Sequence, residues 1–146
     1  MMEGDIVPNK PDSGNIDKVR FYVCSSCGNI LVSTGSASIF CCGRKLEYIL
    51  PSETSIAPKI TVEEMDTDYY ITFDHPMTKE HYLSFVSYVK SDKVVLNRLY
   101  PEQSPAFRFP IARGGKLYVY CIKHGLSVYS YINEDTLTSS FRTNIH

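Results

Sequence analysis

The chain has no run of basic residues, and no apolar stretch approaches the ~20 residues that a membrane-spanning helix needs. Its 15 Lys and Arg are balanced by 16 Asp and Glu, which gives a formal net charge of −1. Nucleic-acid and membrane-surface partners are both disfavoured, because each selects for clustered positive charge. Residues 1–5 also lack the basic end and the apolar run of a secretion signal. We therefore expect a cytoplasmic protein in a reducing compartment.

Helical periodicity is weak along the whole chain, whereas short β signals recur. Strands are predicted at residues 69–73, 81–89, 93–96, 116–121 and 126–131. In the second of these, the period of two places His81, Leu83 and Phe85 on one face. The pair Gly114-Gly115 is interpreted as a hairpin turn. The pattern predicts an all-β chain with an antiparallel sandwich or barrel.

Composition divides the chain into four predicted parts. Residues 1–19 are polar and broken by prolines, as in a flexible N-terminal arm. Residues 20–50 are rich in cysteine, and a module of this size needs a staple because it buries little apolar surface. Residues 51–131 carry most of the β signals and are the predicted main domain. Residues 132–146 are polar and are expected to be a C-terminal extension.

The five cysteines and three of the four histidines fall into two sets. Thiolate and imidazole are the ligands that borderline transition metals prefer, so each set is a candidate metal centre. The four-cysteine centre consists of Cys24, Cys27, Cys41 and Cys42. The histidine–cysteine centre consists of His75, His81, Cys121 and His124. The fourth histidine, His146, is alone in the polar tail and is interpreted as an ordinary surface residue. No catalytic residue is identified beyond these ligands.

The first set has the form of a metal knuckle. Two thiolates three positions apart grip one ion, and Gly28 lets the backbone turn toward the sulfurs. Cys41 and Cys42 would complete a tetrahedral site for iron or for zinc, and ligand type alone does not separate the two metals. A purely structural zinc ion therefore stays open. Disulfides are disfavoured, because adjacent cysteines pair poorly and the expected compartment is reducing.

The second set is less specific residue by residue. Cys121 shares its predicted strand face with Leu117 and Val119, so its sulfur is expected to point inward. His124 follows after a short turn, and His75 precedes a proline that favours an extended conformation. Each histidine alone is more typical of a surface or core position than of a ligand. The case depends on their occurring together and on a resemblance.

The order of these blocks resembles the desulfoferrodoxin family of superoxide reductases. The resemblance covers residues 20–129 and is carried by five segments: Cys24-Ser25-Ser26-Cys27-Gly28-Asn29-Ile30, Cys41-Cys42-Gly43, His75-Pro76-Met77, His81-Tyr82 and Cys121 with His124-Gly125-Leu126. It implies a small rubredoxin- or desulforedoxin-like module that holds iron in four cysteines. It also implies that an immunoglobulin-like antiparallel β-sandwich follows this module.

The resemblance further implies an activity, the reduction of superoxide to hydrogen peroxide at a non-haem iron. His75, His81 and His124 would be equatorial ligands, and Cys121 would be the axial thiolate. The implied cofactor is iron at the histidine–cysteine centre and iron or zinc at the four-cysteine centre. The implied partners are superoxide as substrate and a soluble electron donor such as rubredoxin, and the chain would be a homodimer.

The chain departs from the family at one ligand. The family has a further histidine, preceded by a lysine, two positions before a proline, and the matching positions here are Ile56 and Ser55. Isoleucine cannot bind a metal, and serine lacks the charge that would attract an anion. Glu53 or water would then fill the vacant position, and Lys59 or Lys45 would replace the missing cation. Alternatively, three histidines and a cysteine close a tetrahedral site that suits zinc or an unreactive iron.

Two classes of function follow from this departure. One is a superoxide-reductase-type oxidoreductase, and the other is a non-catalytic metal-binding or redox-sensing relative with the same fold. A zinc-ribbon nucleic-acid-binding protein is a third class, and it is disfavoured because a basic patch is missing.

Overall fold

The computed structural model describes residues 19–52, 57–90, 93–110 and 114–129, and it confirms that the chain is all-β. These residues form twelve strands and no helix. None of their elements is therefore a helix that could span a membrane. The chain separates into two compact units, Met1–Ile49 and Leu50–His146. The predicted arm and C-terminal extension lie almost wholly outside the described residues, so the four-part division stays a prediction.

The first unit is a pair of short antiparallel hairpins. Its strands are β1 (Arg20–Val23), β2 (Ile30–Ser33), β3 (Ile39–Cys41) and β4 (Arg44–Leu46), with β1 paired to β2 and β3 to β4. Among the described residues of this unit, only Phe21, Tyr22 and Cys24 are buried hydrophobic side chains. So small a core contributes too little burial to hold two hairpins together without a further link.

The second unit is the predicted immunoglobulin-like β-sandwich. Its strands are β5 (Pro51–Ser52), β6 (Lys59–Met65), β7 (Asp68–Asp74), β8 (Leu83–Lys90), β9 (Lys93–Arg98), β10 (Ala106–Pro110), β11 (Lys116–Cys121) and β12 (Gly125–Tyr129). One sheet has the order β10-β7-β6, and the other has the order β5-β12-β11-β8-β9. Neighbouring strands are antiparallel, except that the two-residue edge strand β5 runs parallel to β12.

The core lies between these two sheets. Ile71 and Phe109 come from the three-stranded sheet, and Val86 and Leu117 come from the five-stranded sheet; all four are at most 1% exposed. Strand β8 is buried on both faces, because seven of its eight residues are inaccessible to solvent. The sequence LSFVSYVK shows why, since it carries no charged residue before its terminal lysine.

Truncation of a central ring tests this core. Phe109 is 1% exposed, and its ring stacks on Tyr88 with 4.5 Å between centroids. We expect Phe109→Ala to lower the free energy of unfolding of the second unit by ~3–5 kcal/mol, because it leaves a cavity that the rigid sheets cannot close. Leu96→Ala is the control, since Leu96 is 41% exposed and should change stability by about 0.5 kcal/mol or less. Denaturant unfolding measures both, and similar losses would contradict this packing.

The predicted face of β8 is wrong at its start. In the pairing of β8 with β11, Phe85 lies opposite Tyr120, whereas Leu83 lies opposite Cys121, so Ser84 is an extra residue. Leu83 therefore joins the sandwich core, whereas Phe85 stacks on Tyr120. An inserted residue reverses the alternation of a strand. A period of two read from the sequence cannot show where such a β-bulge lies.

The pair Gly114-Gly115 is not the hairpin turn that the sequence predicted. Strand β10 pairs with β7 in one sheet and β11 pairs with β8 in the other, so the connection passes between sheets. Gly115 has a φ of +90°, and a Cβ there would lie 2.8 Å from the Val89 carbonyl oxygen. Both constraints require glycine at this position.

Candidate metal centres

The first cysteine pair lies in the turn that follows β1. Gly28 has a φ of +76°, and its N–H donates to the Cys24 carbonyl at 2.7 Å. The Cys24 N–H in turn donates to the Asn29 carbonyl at 2.9 Å. This closed turn is the knuckle that Cys-x-x-Cys-Gly predicted, and it directs both thiols to one side.

The second pair lies in the turn between β3 and β4. Cys41 is paired with Arg44, so Cys42 and Gly43 are the two turn residues. Both have positive φ, 54° for Cys42 and 76° for Gly43, as the hairpin turn of type I′ requires. The left-handed conformation costs a non-glycine residue ~1–2 kcal/mol, so Cys42 is held there at the expense of local stability.

The structure brings the four thiols together. The sulfur atoms of Cys24, Cys27, Cys41 and Cys42 all lie within 4.8 Å of one another. The Cys27 and Cys41 sulfurs are 3.6 Å apart, far beyond the ~2.05 Å of a disulfide bond. All four cysteines are free. Two thiolates bound tetrahedrally at ~2.3 Å from one ion would lie about 3.8 Å apart, so the cluster fits iron or zinc.

The protonation of these thiols indicates the same chemistry. Hydrogen bonds from the backbone N–H groups of Cys27 and Ser26 lower the pKa of Cys24 to about 6. The neighbouring sulfurs of Cys27, Cys24 and Cys41 raise the pKa of Cys42 to about 12. One thiol thus ionises readily, whereas another keeps its proton because it shares that proton in hydrogen bonds with neighbouring sulfurs. A bound cation would favour the ionised form of all four thiols.

The histidine–cysteine centre is assembled at one end of the sandwich. His75 follows β7, Cys121 ends β11, and His124 lies in the turn before β12. His81 precedes β8 and is fixed by two backbone hydrogen bonds to Thr78, of 3.0 and 3.1 Å. Residues far apart in sequence therefore meet at the same sheet ends.

The β-bulge in β8 helps to bring His81 and Cys121 to the same side of the sheet. Because Ser84 is extra, Leu83 faces the core on the same side of the sheet as Cys121. In extended chain, residues two apart share a face, so His81 is directed to that side as well. Without the inserted residue, the alternation of β8 would direct His81 away from Cys121.

Four ligand atoms converge at this end. One atom from each of His75, His81, Cys121 and His124 lies within 4.8 Å of the others. The Cys121 sulfur is 3.2 Å from His75 Nε2 and 3.6 Å from His124 Nδ1. Ligands held at ~2.1–2.3 Å from one ion show separations of this size. Cys121 is 3% exposed beside Leu117 and Val119, as the sequence predicted.

The ring orientations suit metal binding. The Pro76 carbonyl lies 2.6 Å from His75 Nδ1 and accepts a hydrogen bond from its N–H, so Nε2 is free to face Cys121. His81 Nε2 is buried and has no hydrogen-bond partner in the described part of the chain. Such a buried atom costs ~1–3 kcal/mol unless a partner is supplied, and a metal ion would be that partner.

Burial favours the neutral form of two of these imidazoles. Desolvation lowers the pKa of His75 and is also the main reason that the pKa of His81 is lowered. The charges of His124 and Lys123 lower the pKa of His81 further. Neutral rings present lone pairs, which metal coordination requires. Lys123 is an exposed cation near this centre that the sequence analysis did not identify.

Several predicted residues lie outside the described part of the chain. They are Glu53, Ser55, Ile56 and His146, so the missing ligand stays a prediction. Lys59 and Lys45 are exposed at the start of β6 and on β4. The sequence analysis also missed Asn29, whose Nδ2 donates to the Cys41 sulfur at 3.7 Å. Its position directly after Cys-x-x-Cys-Gly was the available signal.

Metal retention tests the convergence of the second set. We expect His81→Ala to lower the affinity of this centre for its metal by ~10-fold or more, because one of the four atoms that would bind the ion is lost. His146→Ala is the matched control, and it should leave the metal content unchanged. Metal analysis after dialysis against a chelator measures both variants. Equal retention in His81→Ala and the parent protein would show that His81 is not a ligand.

Comparisons with known proteins agree with the resemblance. The chain matches no family model. A protein of Clostridium acetobutylicum named desulfoferrodoxin is 28% identical over 116 residues, which are 74% of this chain and 93% of that protein. A desulfoferrodoxin of Desulfarculus baarsii is 26% identical over 119 residues, with 75% and 94% covered.

A solved structure is similar in fold. The crystal structure of the superoxide reductase from Treponema pallidum matches with a TM-score of 0.64 and 19% identity, covering 77% of this chain and 97% of that one. At this identity the structural match supports the fold alone. The sequence relatives agree with the predicted resemblance to the desulfoferrodoxins, and the structural match agrees with the predicted fold.

Proposed function

We propose that this chain, which is similar in sequence to proteins named desulfoferrodoxin and similar in fold to a superoxide reductase, is a non-haem iron oxidoreductase that reduces superoxide to hydrogen peroxide. The observation that carries the proposal is the convergence of three histidines and one thiol at the end of the sandwich. His75, His81, Cys121 and His124 would hold the iron. Iron bound there would supply a one-electron couple and a position for superoxide.

The proposed ligands differ in their exposure to solvent, and we assign them different roles. Cys121 lies on the buried side, so its thiolate would donate electron density from the protein interior. His124 lies on the exposed side, which leaves the cluster open to a small anion. Each turnover consumes one superoxide, one electron and two protons, and it produces one hydrogen peroxide. Lys123, exposed at the same turn, would raise the local concentration of the anion.

The electron must come from outside this centre. We propose a soluble one-electron donor such as rubredoxin, with iron in the four-cysteine centre as an electron carrier or a structural ion. Zinc at that centre would restrict it to the structural role. A homodimer in the cytoplasm is the assembly and location that the family relationship favours.

One observation favours a second candidate. The described residues offer four ligands at the histidine–cysteine centre, and isoleucine stands at position 56, where the family has a further histidine. Four ligands close a tetrahedral site, which suits zinc and leaves no open position. The protein would then be a metal-binding or redox-sensing relative without turnover.

Metal analysis with visible absorption separates the two candidates. In protein purified without added metal, we expect iron at both centres and thiolate-to-iron absorption from each. Added superoxide should oxidise the iron of the histidine–cysteine centre and release hydrogen peroxide. Two zinc ions per chain and a colourless protein would instead establish the second candidate.

Restoring the expected ligand tests the account of its loss. We expect Ile56→His to increase the rate with superoxide by ~10-fold or more, because a complete ligand set holds the iron in the reactive geometry. Ile56→Ala is the control for volume and should leave the rate low. Pulse radiolysis, which generates superoxide in known amounts, measures both. A high rate in the parent chain with no gain in Ile56→His would refute the role given to this position.

A further inference from the structure

A basic side chain lies between the two cysteine pairs of the first unit. Arg44 is the residue that pairs with Cys41 across the β3–β4 hairpin. Its Nη2 donates to Ser26 Oγ at 2.5 Å and to Ser25 Oγ at 3.3 Å. These two serines are the residues inside the first Cys-x-x-Cys segment. A single guanidinium therefore bridges the first knuckle to the second.

The other basic side chains of residues 19–49 are placed elsewhere. The charged side chains of residues 19–49 are Arg20, Arg44, Lys45 and Glu47. The Arg20 guanidinium lies over the Tyr48 ring, 4.4 Å from its centroid. Lys45 pairs with Phe40, which places it on the hairpin face opposite to that of Arg44. Of these basic side chains, Arg44 is the one that contacts the cysteine knuckle.

A cation in this place changes the energetics of an iron–thiolate site. Reduction adds a negative charge to an ion that four thiolates already surround. A fixed positive charge stabilises the reduced form more than the oxidised form, and hydrogen bonds to the sulfurs act in the same direction. The Asn29 hydrogen bond to the Cys41 sulfur is one such contact.

We propose that Arg44 is a positioning residue of the four-cysteine centre, which fastens the two cysteine pairs together and raises the reduction potential of the iron between them. The inference rests on the proposed iron at this centre. It goes beyond that proposal because it assigns to one side chain both the retention of the metal and its readiness to accept an electron from the donor.

Three variants of the full chain separate charge from geometry. Arg44→Gln removes the charge, Arg44→Lys keeps the charge but loses the planar fork that reaches two hydroxyls, and Lys45→Gln removes a neighbouring charge from the opposite face. The probe is the parent protein and each variant reconstituted with ferrous iron. Spectroelectrochemical titration of the four-thiolate absorption gives the potential, and transfer to a coloured chelator gives the rate of iron release.

We expect Arg44→Gln to shift the redox equilibrium about tenfold toward the oxidised form, which is 59 mV for one electron. Arg44→Lys should keep most of the potential, since the charge remains. Both Arg44 variants should release iron several-fold faster, because neither side chain can hold the two cysteine turns together through the hydrogen bonds that Arg44 makes to Ser25 and Ser26. Lys45→Gln should leave the potential within about twofold of the parent equilibrium and the release rate unchanged, since Lys45 lies on the hairpin face opposite to that of Arg44.

The other possible results distinguish a failure of this proposal from a failure of the proposed enzyme activity. Equal shifts in Arg44→Gln and Lys45→Gln would show a general charge effect, and an unchanged potential in Arg44→Gln would remove the role of Arg44. A parent protein without four-thiolate iron absorption would overturn the iron at this centre, and the inference with it. Failure of superoxide turnover with the expected Arg44 shifts would overturn only the proposed enzyme activity.

Discussion

Replacement of Cys121 with serine should remove the thiolate-to-iron absorption of the histidine–cysteine centre and lower turnover with superoxide by ~100-fold or more. The side chain is buried at the end of β11, and its sulfur lies 3.2 Å from His75 Nε2. Mutation of a residue that contacts a metal ligand, rather than the metal itself, lowers metal affinity or activity by about 10–100-fold. Loss of a proposed ligand should therefore lower it at least as much. Serine is smaller and a weak metal ligand, so it cannot restore the electron donation of the thiolate.

The reciprocal variant is the control for this result. Cys27→Ser removes a proposed ligand of the four-cysteine centre, which lies in the other unit. It should abolish the absorption of that centre while superoxide still oxidises the iron bound by the second unit. Stopped-flow absorption of both variants measures the two effects. Persistence of the charge-transfer band in Cys121→Ser would mean that Cys121 does not bind the metal.

Removal of the metal from the four-cysteine centre should unfold the first unit and leave the β-sandwich intact. The described part of the first unit buries only two large hydrophobic side chains, Phe21 and Tyr22. The sandwich instead has a continuous core drawn from both sheets. Structural zinc sites contribute ~10–16 kcal/mol of binding free energy, which exceeds what this small core supplies.

Hydrogen exchange resolves this prediction by segment. In metal-free protein, or in Cys41→Ser, the amides of β1 to β4 should exchange at the rate of an unfolded chain. The amides of β8 and β11 should keep their protection, because they lie in the centre of the five-stranded sheet. Retained protection across β1 to β4 without metal would show that the hairpins fold on their own.

The ligand clusters could be predicted from the sequence because thiols and imidazoles are rare and chemically specific. Strand β11 was predicted with its observed bounds, since Lys116–Cys121 contains a run of aromatic and β-branched residues, Tyr118 to Tyr120, and follows two glycines. The convergence of the ligand atoms of the histidine–cysteine centre could not be predicted from the spacing of these residues in the sequence. It depends on which strand ends meet in the sandwich, and only the resemblance supplied that topology.

Other features were hidden for physical reasons. The bulge at Ser84 adds one residue to a strand that is apolar on both faces, so the sequence gives no break in pattern to mark it. Strand β10 was missed because Pro105 precedes it and Pro110 is its last residue, and prolines are tolerated there since β10 is an edge strand. The contacts of Arg44 with two serines depend on how the hairpins pack and have no local signal.

The most direct test of the central claim is a crystallographic measurement of anomalous scattering at the iron and zinc absorption edges, on protein isolated without added metal. The account predicts an iron peak ~2–2.4 Å from one atom of each of His75, His81, Cys121 and His124. A zinc peak at that position would refute the reductase. Four side chains that share no ion would refute the centre itself.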